Sequence, residues 1–294
     1  MKKLHPAWIA FGVTFLTLMA MAGFRSAPSV LIVPLEDAFG WSRSTISLAL
    51  SINVLLYGLT APFAAALMER FGIRKVVMLA LSTVASGALG TVWMTHPWHL
   101  IALWGVVVGV GTGSMALVFA ASIANRWFLA KKGLVLGALT AAAATGQLIF
   151  LPGLSSLAVH HGWKWVSITV SLSAFAMVPL VAIALKEHPS SAGVTPYGAA
   201  ADYEEPIRIQ RNAGRLAITT LKEASKKRDF WYLVGSFFVC GLSTSGLVGT
   251  HFIPAAHDHG MAEVTAASLM AKERAKVHER SSRRRATCGD PRDR

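Results

Sequence analysis

Polar residues in this chain come in short clusters, and between the clusters the side chains stay apolar for twenty residues or more. Ser47 to Met68 carries no charge, and Val76 to Ala124 holds no Lys, Arg, Asp or Glu. Between them lies Glu69-Arg70-Phe71-Gly72-Ile73-Arg74-Lys75, with four charged residues in seven. An apolar run of about 20 residues crosses a bilayer as a helix. A charged loop between two such runs sits in water, so it marks a membrane face. Membrane spans are helices or closed barrels, and barrel strands alternate apolar with polar side chains. These runs do not alternate. The pattern therefore predicts an all-α membrane protein.

The remaining boundaries follow from the same reading. Span one is predicted over about Ala7 to Leu35, with Pro28 and Pro34 expected to bend it or end it early. Glu36 and Asp37 mark water. Ser42-Arg43-Ser44 opens span two, which ends near Met68. Span three runs from about Ile73 to Met94, span four from Trp98 to Ala124, span five from Gly133 to Val159 and span six from Trp163 to Leu185. Glu187 to Arg228 changes character. Its Pro, Ser and Gly residues and alternating charges read as a polar linker, whose second part, Arg215 to Arg228, forms a helix along the membrane surface. Span seven is expected over Phe230 to Phe252, followed by a loop, Ile253 to Gly260. The organisation is then a six-span bundle (1–186), a cytoplasmic linker (187–228), the start of a second half (229–270) and a basic tail (271–294).

Composition agrees with the pattern. Of 294 residues, 53% are hydrophobic and 15% charged, where a soluble domain is about a quarter charged. The basic start, Lys2-Lys3, is read as the head of a retained span, since no small-residue cleavage site clearly follows. The formal charge of +13 is compatible with nucleic acid, but cytoplasmic loops of membrane proteins collect Lys and Arg. With the N-terminus inside, 16 basic residues fall on the cytoplasmic side before residue 271 and only Arg43 and Lys164 outside. That asymmetry sets the orientation and leaves no role for nucleic acid. Cys240 and Cys288 lie in an apolar run and a basic tail, so no disulfide is expected.

The end of the chain fits less well. Ala262 to Ala271 begins like an eighth apolar helix and then meets Lys272-Glu273-Arg274. Ten apolar residues do not span a bilayer. Nine Lys or Arg and four Asp or Glu follow from Lys272 onward. The tail reads either as a solvated cytoplasmic extension, with one span misplaced, or as an out-of-frame segment. The charge rule favours the second.

Several motifs together resemble one family. Leu67, Arg70, Gly72, Arg74 and Lys75 resemble the G-x-L-x-D-R-x-G-R-R loop between spans two and three of major facilitator superfamily transporters, with Glu69 in place of the Asp and Ala65 where the first Gly is expected. Pro34-Leu35-Glu36, Phe39-Gly40-Trp41-Ser42-Arg43 and Ile46-Ser47 resemble the end of span one and start of span two in monocarboxylate-type and oxalate/formate-type members. Arg126-Trp127-Phe128, Lys132-Gly133, Gly137, Gly146-Gln147, Pro152 and Gly162-Trp163-Lys164-Trp165 are similar to that group around span five, and Arg228-Asp229-Phe230-Trp231 to its entry into span seven. The resemblance covers roughly residues 8 to 270 and implies a chain shortened after about seven of the family's twelve spans. It implies alternating access without covalent chemistry, a small organic anion as substrate, no cofactor and, for Glu69, Arg70, Gly72, Arg74 and Lys75, a cytoplasmic latch. The expected location is a bacterial inner membrane. The alternative is an inactive half-transporter. A seven-span receptor is disfavoured by the inside N-terminus. The Arg that many proton-coupled members carry early in span four is missing from Leu103-Trp104-Gly105, so proton coupling is not inferred.

Candidate chemistry is sparse. Arg25 lies inside span one, where a charge costs several kcal/mol unless it faces a polar cavity or a partner. A guanidinium binds a carboxylate through two parallel hydrogen bonds, so Arg25 is the candidate anion contact. The competing reading has it snorkel to the outer surface. Asn53 and Tyr57, four apart on span two, share a face, and they, like Gln147 on span five, either line the cavity or bond helix to helix. Gly105, Gly109 and Gly113 recur every four residues, as do Gly133 and Gly137, and are read as close helix packing. Gly111-Thr112-Gly113-Ser114-Met115-Ala116 matches a dinucleotide fingerprint by letter only, since no strand precedes it. The chain has no G-x-x-x-x-G-K phosphate loop, so coupling would be to a gradient. His160-His161 and His257-Asp258-His259 lack a third ligand, so no metal is expected.

Overall fold

The computed structural model describes residues 5–115, 117–200 and 213–273. Most of the basic tail and residues 201–212 of the linker lie outside the described residues. Among the described residues seven helices are long and apolar enough to cross a membrane: α1 (Pro6–Phe39), α2 (Arg43–Phe71), α3 (Ile73–Trp93), α4 (Pro97–Trp127), α5 (Lys132–His161), α6 (Trp163–Ala184) and α8 (Arg228–Asp258). Between the last two comes a short surface helix, α7 (Ala213–Ala224), and 263–273 form a further helix, α9.

Local chemistry sets the ends. His5 accepts the N–H of Ala7 at 3.2 Å, with Pro6 in the first turn of α1 where a missing N–H costs nothing. At the other end Gly40 takes φ +65 and returns its N–H to the Glu36 carbonyl at 2.8 Å, a left-handed cap that suits glycine. Ser42 Oγ accepts the Thr45 N–H and starts α2. Two predicted ends move here. The helix α1 runs through both Pro28 and Pro34 to Phe39. The residues flanking Pro28 are well held within the bundle, with Phe24, Ala27, Val30, Leu31 and Ile32 all buried, so packing overrides the proline penalty. Ile253 to Asp258 is also the last stretch of a helix that continues through Pro254, and not a loop.

The helices pack around α1, which lies against α5 and α6 along most of its length. On the other side α3 packs on α6 and α4, and α4 packs on α2. Polar side chains join these helices in pairs. Ser171 donates to the Ala85 carbonyl at 2.8 Å, and Thr91 and Ser167 share a hydrogen bond at 3.0 Å, both between α6 and α3. Such bonds are worth about 0.6 kcal/mol each inside a bilayer.

The helix α4 is not uniform. Ile101–Val108 is wound as a π-helix, and the glycines lie in or just beyond that stretch. A Cβ on Gly105 would sit 3.1 Å from the Ala49 carbonyl oxygen, and on Gly109 3.0 Å from the Asn53 Cα. On Gly113 it would meet the Tyr57 backbone at 2.6 Å. The three glycines are thus the seam where α4 presses on α2. Gly133 and Gly137 share the spacing, yet a Cβ at either meets nothing within 4 Å, so that repeat does not serve close packing.

Candidate functional site

A cavity of about 370 Å³ lies midway along the bundle. Its wall comes from four helices: Leu18, Met21, Ala22 and Arg25 of α1, Tyr57 of α2, Thr112, Met115 and Ala120 of α4, and Leu139, Thr140 and Ala143 of α5. Most of this surface is apolar. Among the described residues Arg25 is the only charged side chain in the lining.

The guanidinium of Arg25 stands over the Tyr57 ring, 5.4 Å from its centre. A cation over an aromatic face gains about 0.5–1 kcal/mol at an exposed site. Among the described residues no carboxylate pairs with Arg25. Its charge is therefore held by a ring face, leaving its N–H donors available to a ligand. Thr112 and Thr140 return their hydroxyl hydrogens to carbonyls of their own helices, at 2.9 and 2.8 Å, which leaves their oxygens as acceptors.

The sequence candidates separate in space. Arg25 and Tyr57 meet at the cavity. Asn53 instead donates through Nδ2 to the Trp104 carbonyl at 2.7 Å, bonding α2 to α4 where the π-helical winding leaves that oxygen accessible. Gln147 lies one turn beyond Ala143 on α5, next to Gly146, and does not line the cavity. Gly146 itself is where α1 and α5 touch: a Cβ there would lie 2.6 Å from the Ala22 methyl.

The Glu69–Lys75 loop is at the opposite end of α2 from Ser42. Gly72 takes φ +92 between α2 and α3, a conformation open to glycine and costly for other residues. Arg70 lies over the Phe71 ring at 5.2 Å, and Arg74 and Lys75 are exposed. The N-terminus of α3 is capped by a residue that sequence reasoning missed. Glu187, three residues past the end of α6, accepts the Ile73 N–H at 2.7 Å and the Arg74 N–H at 3.0 Å. A carboxylate at a helix N-terminus satisfies orphan donors and the helix dipole together. No local signal reveals this, because the cap lies 114 residues away from Ile73.

The linker also docks beyond Glu187. Tyr197 donates its N–H to the Trp127 carbonyl at 2.8 Å, and its carbonyl accepts from Leu129 and Ala130 at 3.0 and 3.1 Å. Its ring joins His5, Trp8 and Phe128, with ring centres 5.6 to 5.9 Å away. The polar linker is thus, over its first part, a strap across the ends of α1 and α4.

Known proteins give the same architecture. The family model described as Major Facilitator Superfamily matches residues 13–271. Over 258 residues the chain is 25% identical to an uncharacterized MFS-type transporter, YcxA, of Bacillus subtilis, covering 87% of this chain and 59% of that protein. Over 142 residues it is 30% identical to monocarboxylate transporter 7 of Homo sapiens, covering 47% of this chain and 26% of that one. The chain therefore spans about three fifths or less of the length of these relatives. A crystal structure of a D-xylose-proton symporter superposes with a TM-score of 0.61 at 15% identity, covering 91% of this chain and 66% of that one. With seven membrane-length helices and a family match over most of its length, this multi-pass integral membrane protein belongs to the Major Facilitator Superfamily of transporters.

Proposed function

We propose that this chain carries the anion-binding half of a transporter for a small organic anion of monocarboxylate type, working by alternating access in a bacterial inner membrane with its N-terminus in the cytoplasm. The carrying observation is Arg25, a guanidinium with no acidic partner among the described residues, in the wall of a mostly apolar cavity. A single fixed positive charge suits a single carboxylate, and the apolar wall suits a short carbon chain. Arg25 would take the carboxylate by two parallel N–H···O bonds. Tyr57 holds the guanidinium from behind and would offer its hydroxyl to the same substrate. The name of the human relative and the distribution of basic residues support the substrate class and the orientation.

Thermal melting of the purified chain in detergent tests this. A panel of mono- and dicarboxylates is added to the parent and to Arg25→Ala. A bound ligand at a hundred times its Kd adds about 2.7 kcal/mol to stability. The expected result is stabilisation of the parent by a monocarboxylate and its loss in Arg25→Ala. Stabilisation that survives in Arg25→Ala, or none with any carboxylate, sinks the reading.

A further inference from the structure

Basic side chains collect where α7 turns into α8. The Ser225, Lys226 and Lys227 amides return to the Leu221, Glu223 and Ala224 carbonyls at 2.9 to 3.3 Å, and Phe230 donates to the Lys227 carbonyl at 3.2 Å. The chain therefore leaves one helix and enters the next within three residues. Lys222, Lys226, Lys227 and Arg228 are all exposed at this corner. From Lys222 to Asp229 there are four basic and two acidic side chains, a surplus of two positive charges.

Apolar surface lies beside the charge. Ile218 and Leu221, three apart on one face of α7, are 56% and 53% exposed. Lys222, four residues after Ile218, is their neighbour on the helix. In the first turn of α8, Trp231 donates through Nε1 to the Ser225 carbonyl at 2.8 Å, which ties the corner together. Its ring and that of Tyr232 stay 60% and 72% exposed. A tryptophan with its polar edge bonded and its apolar body uncovered suits the headgroup level of a bilayer.

The remainder of α8 keeps the corner accessible. Within Arg228–Gly241 no residue is buried. The helix packs on α1 through its far end, Gly249–Asp258. As a membrane-length helix, α8 starts at a face of the bilayer. The fifth span, α5, starts at the same face as this seventh one, and brings exposed Lys131 and Lys132 to it. Charge selects what covers such a surface. A second copy of this chain, itself at +13, would set like charge against like charge, which disfavours contact. Anionic lipid headgroups supply the opposite sign at the right depth, and attract basic segments next to a span.

We propose that the α7–α8 corner is a binding site for the phosphate headgroups of anionic lipids. Lys222, Lys226, Lys227 and Arg228 take the phosphates. Ile218, Leu221 and the Trp231 ring enter the boundary with the acyl chains. The site goes beyond the Arg25 reading and stands independently of it.

Contact quenching in nanodiscs tests the site on the full chain. Leu221→Cys carries a bimane label in a Cys240→Ser, Cys288→Ser background. A nitroxide is placed on the acyl chain of phosphatidylglycerol or of phosphatidylcholine, as the minor lipid. Quenching by phosphatidylglycerol should exceed that by phosphatidylcholine by at least about fivefold, the gain that one basic residue supplies at an anionic surface. Lys226→Gln, Lys227→Gln and Arg228→Gln together should make the two lipids equal, as should high salt. The swaps Lys226→Arg, Lys227→Arg and Arg228→Lys should keep the preference. Lys164→Gln, a basic residue of the opposite face, should keep it too. Equal quenching in the parent, or a preference that survives the triple Gln variant, overturns the proposal. Loss of the preference in millimolar inorganic phosphate would show a site for free anions and not lipid. Absence of quenching by either lipid would show the corner covered by protein. Either result also overturns it.

Discussion

At the scale of single residues, charge and size act in opposite ways. Arg25 rests on the Tyr57 ring and has no acidic partner among the described residues, so on the proposed reading its replacement should remove binding and leave folding intact. Lys in its place keeps the charge and loses the two-pronged geometry, so Arg25→Lys should bind the stabilising carboxylate more weakly than the parent. Gly113 behaves conversely. Its Cα faces the Tyr57 backbone so closely that any added atom pushes α4 off α2. Overpacking of this kind costs about 1–3 kcal/mol. Gly113→Leu should therefore lower the melting temperature in detergent, and Gly133→Leu, which meets open space, should leave it nearly unchanged. Equal losses at the two positions would show that the spacing, and not the contact, matters. The sequence made Arg25 legible because a charge in an apolar run stands out. It did not separate Asn53 from Tyr57, since both are polar and share a helix face. Only the position of Trp104 on the neighbouring helix decides that Asn53 bonds to a backbone carbonyl.

At the scale of helices, the number and order of spans were readable because a bilayer demands long apolar runs, and their ends lie within a few residues of the predicted boundaries except at Leu35 and Phe252. Those two exceptions share a cause. Proline and nearby polar residues argue locally for a stop, whereas tertiary packing around Pro28 and Pro254 keeps each helix going. Long-range caps are likewise invisible in a linear reading, and Glu187 is the example. It holds the start of α3 from a segment that reads as a solvated linker. Loss of such a cap costs about 0.5–2 kcal/mol. Glu187→Ala should lower stability by that amount and speed hydrogen exchange at the Ile73 and Arg74 amides, with Glu187→Gln intermediate. Unchanged exchange at those amides would remove the cap from the account.

At the scale of the whole molecule, the first six spans are closed on themselves while α8 touches them at one end. The cap from Glu187 and the strap at Tyr197 both come from residues directly after α6. Synthesis runs from the N-terminus, and domains fold in that order. The bundle of α1 to α6 therefore has the Glu187 cap and the Tyr197 strap in hand once residue 200 has left the ribosome, before α8 is complete. A chain stopped at residue 200 should insert and resist protease as the full chain does over the same region, and a chain stopped at residue 185 should be cut sooner at the α2–α3 turn. Equal sensitivity of the two would mean that the strap and the cap form late. If the longer piece matures alone, the newborn chain keeps a waiting partner, finished and lipid-embedded, for α8.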